Sequence, residues 1–217
     1  VVWLILLFSS RAADGFEERE TRFPSSILLA RDQSIELDLL QRVDYISESM
    51  LGIPYLLNPE GEEEGIDKDP LLRFDKMDCL TYVELVLALS MTDSAEEILD
   101  VRNEHRYMDA SVSYENRKHF MFSQWIPSNL ELGFLSDITS QIGPTQVVER
   151  EFSNSTWKYW GGRYKIPLQD YPKGIFQLDV LRVQDAIDNL AKIPSGALLV
   201  VVRDSAAGNP VMVSHVG

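Results

Sequence analysis

The chain holds one cysteine, Cys79, and three histidines, His105, His119 and His215, so any thiol chemistry must draw its base from that short set. Cys79 stands in FDKMDCLTYVELVLALS (residues 74–90), directly ahead of an apolar run. A thiol attacks a carbonyl carbon as its thiolate. The start of a helix, where backbone N–H groups lack partners, favours that charge. Asp78 is of the right type to cap such a helix. The competing role is packing: free cysteines are among the most buried residues, and taken alone the segment favours a small core hydrophobe.

The three histidines differ in setting. His105, between Glu104 and Arg106 in a helical pattern, reads as a surface residue. His119 in NRKHFMF sits in a stretch without clear period. His215 follows Ser214 in VMVSHVG, among Val211, Val213 and Val216, where a strand is expected. An unpaired buried imidazole is costly, so a polar pair there implies a partner. A satisfied core histidine is the alternative. A cysteine opening a buried helix and a histidine on a strand packed against that helix make the papain-type arrangement.

Several elements must position these groups. Ile35, Leu39, Val43, Ile46 and Met50 recur at three- and four-residue steps, predicting an amphipathic helix with Ser34 as N-cap, ended by Gly52 and Pro54. Residues 58–70, NPEGEEEGIDKDP, read as an exposed loop whose charges are solvated and without catalytic meaning. The helix from about Cys79 to Ser90 is apolar on nearly every side, as expected at the centre of a domain. Ser94 and Glu97 predict a capping box for a third helix. Residues 107–180 read as loops and short strands, and residues 181–192 carry a weak helical pattern. Residues 197–203 and 211–217 predict a hairpin from a well-buried sheet, joined by a turn at 204–210. Helices first and strands last predict an α+β domain. The aromatics of WKYWGGRY (157–164) suit a loop anchored to the core, although such rings also stack on sugars.

With 217 residues and 45% hydrophobic composition the chain fits one domain. Its net charge of −14 excludes nucleic acid and anionic membrane surfaces as natural partners and favours a neutral or cationic substrate at long range. Part of that charge lies in GFEERE (15–20), read as solvated. A single cysteine allows no intrachain disulfide. VVWLILLF (1–8) is too short to span a bilayer; with Ser10 and Ala12 behind it, it reads as the remnant of a secretory signal over residues 1–13. Export to the periplasm or beyond follows, leaving 14–217 as the catalytic domain; a short buried strand is the other reading. The histidines are isolated from one another, so no metal site is supported, and no loop has the glycines to cradle a phosphate. No cofactor is expected.

GIPY (52–55), MDC (77–79) and SHVG (214–217) resemble the NlpC-type papain-like cysteine peptidases of bacterial cell walls. CLTYVELVLAL after the cysteine, NRKHFMFSQWIPSN (116–129), FLSDIT (134–139) and IPSG (193–196) resemble its N-acetylmuramoyl-L-alanine amidase-like branch. Four ordered patches across residues 50–217 are more specific than any one of them. The resemblance implies a papain-like core, with a buried helix carrying the cysteine at its N-terminus packed on an antiparallel sheet carrying the histidine. Cys79 would be the nucleophile, His215 the general base and Tyr55 an active-site tyrosine. Asp78 and Ser214, beside the catalytic pair, would line the site; His119 and Trp125 would line the substrate groove or pack the core. The implied reaction is hydrolysis of an amide in peptidoglycan, at the lactyl–L-alanine bond or within the stem peptide, through a thioester. Two departures stand against it. Ala197 occupies a position where members carry Asp, and the residue that orients the histidine in the family lies on a following strand, whereas this sequence stops two residues beyond His215. A fragment truncated at its C-terminus is therefore expected. The same departures leave room for a catalytically inactive wall-binding protein, or for a secreted effector using the Cys–His pair on another acyl group.

Overall fold

The computed structural model describes residues 23–160, 163–203 and 209–217. The apolar run 1–8, the acidic run 15–20 and most of the turn expected at 204–210 lie outside the described residues. The described chain is α+β, with helices and two small antiparallel sheets. Among the described residues no helix is long and apolar enough to cross a membrane.

The periodic stretch from Ile35 forms one helix, α2 (Leu39–Ser49), and a helix the periodicity does not mark, α1 (Ser25–Gln33), precedes it. Ser34 is not an N-cap: it closes α1, its hydroxyl donating to the Arg31 carbonyl at 2.8 Å. The cap of α2 is Asp38, whose carboxylate accepts from Gln41 N–H while the Gln41 side chain accepts from Asp38 N–H. Either Ser34 or Asp38 suits a cap by residue type, and the reciprocal bond with Gln41 decides between them. α3 (Cys79–Met91) is buried from Val83 through Ser90, as its apolar sequence requires. Its neighbour α4 (Ala95–Arg106) begins after Ser94, but Ser94 makes no side-chain cap bond, so the expected box with Glu97 is not formed.

Two readings of charged residues are overturned. The loop at 58–70 is not uniformly solvated: Glu60 is 1% and Glu62 7% exposed. Glu60 pairs with Arg102 and accepts from Arg73 N–H at 3.0 Å. Glu62 accepts from Tyr107 Oη at 3.1 Å and from the Arg117 guanidinium at 2.8 and 2.7 Å. Gly61 sits so near Asp67 that a Cβ would overlap its carboxylate, so the turn between the two acids needs glycine. His105 is not a surface residue either: it is fully buried. Its Nδ1–H donates to Asn129 Oδ1 at 3.0 Å, and its ring packs on Phe134. The reason is shared. α4 turns its polar-looking face, Arg102, His105 and Arg106, inward onto partners far away in sequence.

The hub of this polar layer is Glu84, fully buried in the middle of α3. Arg106 Nη1 and Trp125 Nε1 each donate to it at 2.9 Å, and Arg106 Nη2 donates to the Glu60 carbonyl at 3.1 Å. One carboxylate thus ties α3, α4, the acidic loop and the Met121–Trp125 turn, which leads into α5 (Ile126–Glu131).

The second half is built on strands longer than expected. After α6 (Thr139–Ile142), β1 (Thr145–Phe152) pairs antiparallel with β2 (Gly174–Leu181) over eight residues each, Thr145 opposite Leu181 and Phe152 opposite Gly174. Their inner face carries Val148, Phe152, Phe176 and Leu178 onto an aromatic cluster with Phe120, Trp157 and Tyr171. Trp157, in α7 (Asn154–Trp160), is fully buried and stacks on Tyr171 at 4.7 Å, the anchoring role expected of its segment. α8 (Val183–Asp188) follows within the weakly helical stretch. The last hairpin, β3 (Val200–Val202) and β4 (Val213–Val216), is half-buried rather than well buried. A register shift between Val201 and Val202 leaves Ser214 without a partner in the ladder. Only Val216 in β4 is fully packed.

Replacing Glu84 by Ala strands the buried Arg106 charge and the Trp125 indole, an expected cost of about 3–5 kcal/mol. The exposed Glu36→Ala should change the unfolding free energy read from urea melts by no more than about 0.5 kcal/mol. A pH effect follows from burial, which pushes His105 down to about 4 against the restoring pull of Asn129 and Glu84. Below the ordinary histidine value the unfolded chain binds the proton and the folded chain does not. Stability is therefore full above about pH 6.5 and falls as the pH drops toward 4, by about 3 kcal/mol for this residue. Urea melts at pH 7 and pH 5 should show about 2 kcal/mol of that loss, and His105→Gln should shrink the difference between them.

Candidate active site

The approach to Cys79 is fixed by backbone bonds. Met77 N–H donates to the Pro54 carbonyl at 3.1 Å and Leu56 N–H to the Met77 carbonyl at 3.0 Å, pairing Tyr55 with Met77 as a parallel bridge. Gly52, at φ +91°, turns the chain out of α2 toward that bridge, a conformation that suits glycine. Tyr55 is 63% exposed. Its phenol is raised above the ordinary value, first by partial desolvation and then by the nearby Cys79 and Asp78.

Asp78 is the N-cap of α3. One carboxylate oxygen accepts from Leu80 N–H at 3.1 Å and Thr81 N–H at 2.9 Å, while Thr81 Oγ1 accepts from Asp78 N–H at 3.0 Å. The other oxygen accepts from Asn58 N–H at 3.1 Å. Tyr82 N–H then starts the helical ladder on the Asp78 carbonyl. That leaves the N–H of Cys79 itself without a hydrogen-bond partner among the described residues. The thiol is half-buried, packed against the cluster of Val83, Leu87, Trp125, Ile126 and Val216. A nucleophilic sulfur and a free N–H on one residue can attack a carbonyl and hold the oxyanion that forms.

β4 packs against α3, with Val213 and Val216 in the cluster that Cys79 joins. His215, next to Val216 and opposite Val201, is exposed, so it is not a core histidine. Among the described residues no hydrogen bond joins it to Cys79. Ser214 Oγ donates to the Val201 carbonyl at 3.2 Å. Trp125 takes the packing alternative: fully buried, it holds Glu84.

His119 lies elsewhere. With Asp78, Thr81 and Glu84 it lines a cavity of about 360 Å³ along one side of α3. Its Nε2–H donates to the Tyr114 carbonyl at 2.7 Å, which leaves Nδ1 as an acceptor. Burial pushes the ring down to about 4, so it is neutral near pH 7. The other cavity residues, Arg106, Arg117, Lys118 and Arg163 among them, are not among the candidates drawn from the sequence. The signal was present in NRKHF, where Arg117 and Lys118 stand directly before His119. Among the described residues no group of three or more His, Cys, Asp or Glu side chains is placed to hold a metal ion.

The chain is similar to several solved structures. A protein of the DUF1460 family from Legionella pneumophila str. Philadelphia 1 superposes with a TM-score of 0.75 at 22% identity, over 93% of this chain and 80% of that one. An N-acetylmuramoyl-L-alanine amidase from Bacteroides uniformis superposes with TM-scores of 0.63 in two structures, at 22% and 23% identity, over 82% of this chain and 79% of the amidase. At these identities the likeness is one of fold. No curated protein matches the sequence. The model of the family described as AmiA-like, N-acetylmuramoyl-L-alanine amidase-like, matches residues 45–217, from within α2 through the last strand, and the chain belongs to that family.

Proposed function

We propose that this protein is a cysteine-dependent hydrolase of the papain-like, NlpC-type kind that cleaves an amide bond in bacterial peptidoglycan. The observation that carries the reading is the first residue of α3, where Cys79 presents a thiol and an unpartnered N–H behind a fully engaged Asp78 cap. Membership of the amidase-like family supports the substrate class, and the fold shared with the Bacteroides uniformis amidase agrees with it.

In this reading His215 takes the thiol proton and Cys79 Sγ attacks the amide carbonyl. The Cys79 N–H holds the oxyanion. Collapse breaks the C–N bond, and the His215 proton leaves with the amine. A thioester remains on Cys79; water, deprotonated by His215, releases it as a carboxylate and restores the thiol. His215 sits on the strand packed against α3 and is exposed, and catalytic hydrogen bonds are often completed only in the substrate complex. Tyr55, exposed beside the cysteine, borders the entrance. The substrate places the protein outside the cytoplasm, periplasmic or secreted, in keeping with the signal-like run at 1–8.

Full-length protein incubated with purified peptidoglycan should release peptides, and Cys79→Ala should abolish the release. His215→Ala should lower kcat by about 10²–10⁴. Product masses identify the bond: a free L-alanine amine marks an amidase, and a new amine within the stem marks an endopeptidase. Release unchanged in Cys79→Ala would sink the proposal. Binding to peptidoglycan with no product from the wild-type protein would replace it with a wall-binding role.

A further inference from the structure

The cavity beside α3 has an unequal charge arrangement. Its carboxylates are already engaged: Glu84 by Arg106 and Trp125, Glu60 by Arg102, Asp67 by Arg117 at 2.8 Å, and Asp78 by the helix amides. Two of its cations have no carboxylate partner among the described residues. Lys118 is 3% exposed, and its Nζ donates only to the carbonyls of Glu104 at 2.7 Å and His105 at 3.1 Å. An ammonium has three donors, so one remains. Arg163 lies over the Trp160 ring at 4.3 Å and is exposed. A buried ammonium held by carbonyls alone is an expensive arrangement, and an anion delivered by a ligand offsets it. Beside these cations His119 is neutral with Nδ1 as an acceptor, so the wall also suits an N–H donor.

A carboxylate next to an amide N–H has both features, and peptides supply them together. Resting on the proposed peptidoglycan hydrolysis, we propose that this cavity binds a free carboxylate of the peptide portion of the substrate, Lys118 and Arg163 facing the carboxylate and His119 Nδ1 accepting from a neighbouring amide N–H. Asp78 and Leu80, which flank Cys79 in sequence, both line the cavity, so a peptide seated there lies alongside the reacting bond. The acidic and basic side chains of the wall are equal in number, leaving no excess of positive charge for a dianion. The net charge of −14 slows the approach of any anion, but at contact distance the two unpaired cations outweigh that long-range field.

The test uses Cys79→Ser, which binds without turnover, and NMR titration with N-acetyl-L-alanyl-D-isoglutamine, which has one free carboxylate, against its amide. The acid should bind at least tenfold more tightly. Arg163→Gln, at an exposed position, should cut that ratio to threefold or less and leave amide affinity unchanged; His119→Gln should weaken acid and amide alike. Lys118→Met, if it folds, should act as Arg163→Gln does. Equal binding of acid and amide, or a ratio untouched by Arg163→Gln, would overturn the assignment. Displacement of the acid by inorganic phosphate at tenfold lower concentration than by acetate would overturn the monoanion preference and reassign the cavity to phosphoryl groups. Discrimination retained alongside unchanged peptide release by Cys79→Ala would fail the catalytic reading alone. Equal binding alongside abolished release would fail only the cavity assignment.

Discussion

The described structure depends on one buried charge. Glu84 lies in the middle of a helix whose other central residues are apolar, and a lone carboxylate there would make the core untenable. It is held by Arg106 and Trp125, and Arg106 in turn reaches the backbone of the acidic loop at Glu60. Buried ion pairs add little net stability over well-packed apolar groups, because desolvation consumes most of the attraction. Their effect is on specificity: the pairs form only when α3, α4 and the loop are placed together. Glu60 with Arg102, and Glu62 and Asp67 with Arg117, extend the same constraint to the segments around the cavity.

This constraint positions the N-terminal end of α3, where Cys79 stands. Asp78, the cap, bonds to Leu80 and Thr81 on one side and to Asn58 on the other, so it ties the acidic loop to the helix start. The Tyr55–Met77 bridge fixes the incoming strand. Among the described residues, the Cys79 N–H and sulfur stay without a hydrogen bond on one flank, and on the other Lys118 and Arg163 have no carboxylate in an ion pair and His119 Nδ1 has no donor. The groups free to meet a ligand are those the internal network does not use.

Local signals in the sequence were enough to find α3, its burial and the cap before Cys79, because each depends on residues within a turn of one another. Long-range polar pairing was not legible. Glu60 and Arg102 are 42 positions apart, and Arg117 is 55 from Glu62, so an acidic run looked like a solvated loop. His105 shows the same limit: between Glu104 and Arg106 it has a surface context, yet Asn129 and Phe134 make its site internal. Short strands are expected in this region, but the full eight-residue length of β1 and β2 is not legible, because TQVVEREF and GIFQLDVL carry charge on the outer face, where Glu149 and Glu151 stand opposite Gln177 and Ile175. Trp125 showed no preference between groove and core until Glu84 supplied its partner.

The central claim is that the thiol of Cys79, held at the start of α3 by this network, performs the chemistry. As the only cysteine in the chain it can be alkylated without ambiguity. The most direct measurement treats native full-length protein with graded iodoacetamide, reads the alkylated fraction by intact mass and assays each sample for peptide release from peptidoglycan. Activity should fall in proportion to the unmodified fraction and reach zero at one equivalent of label. Full activity in fully alkylated protein would contradict the account.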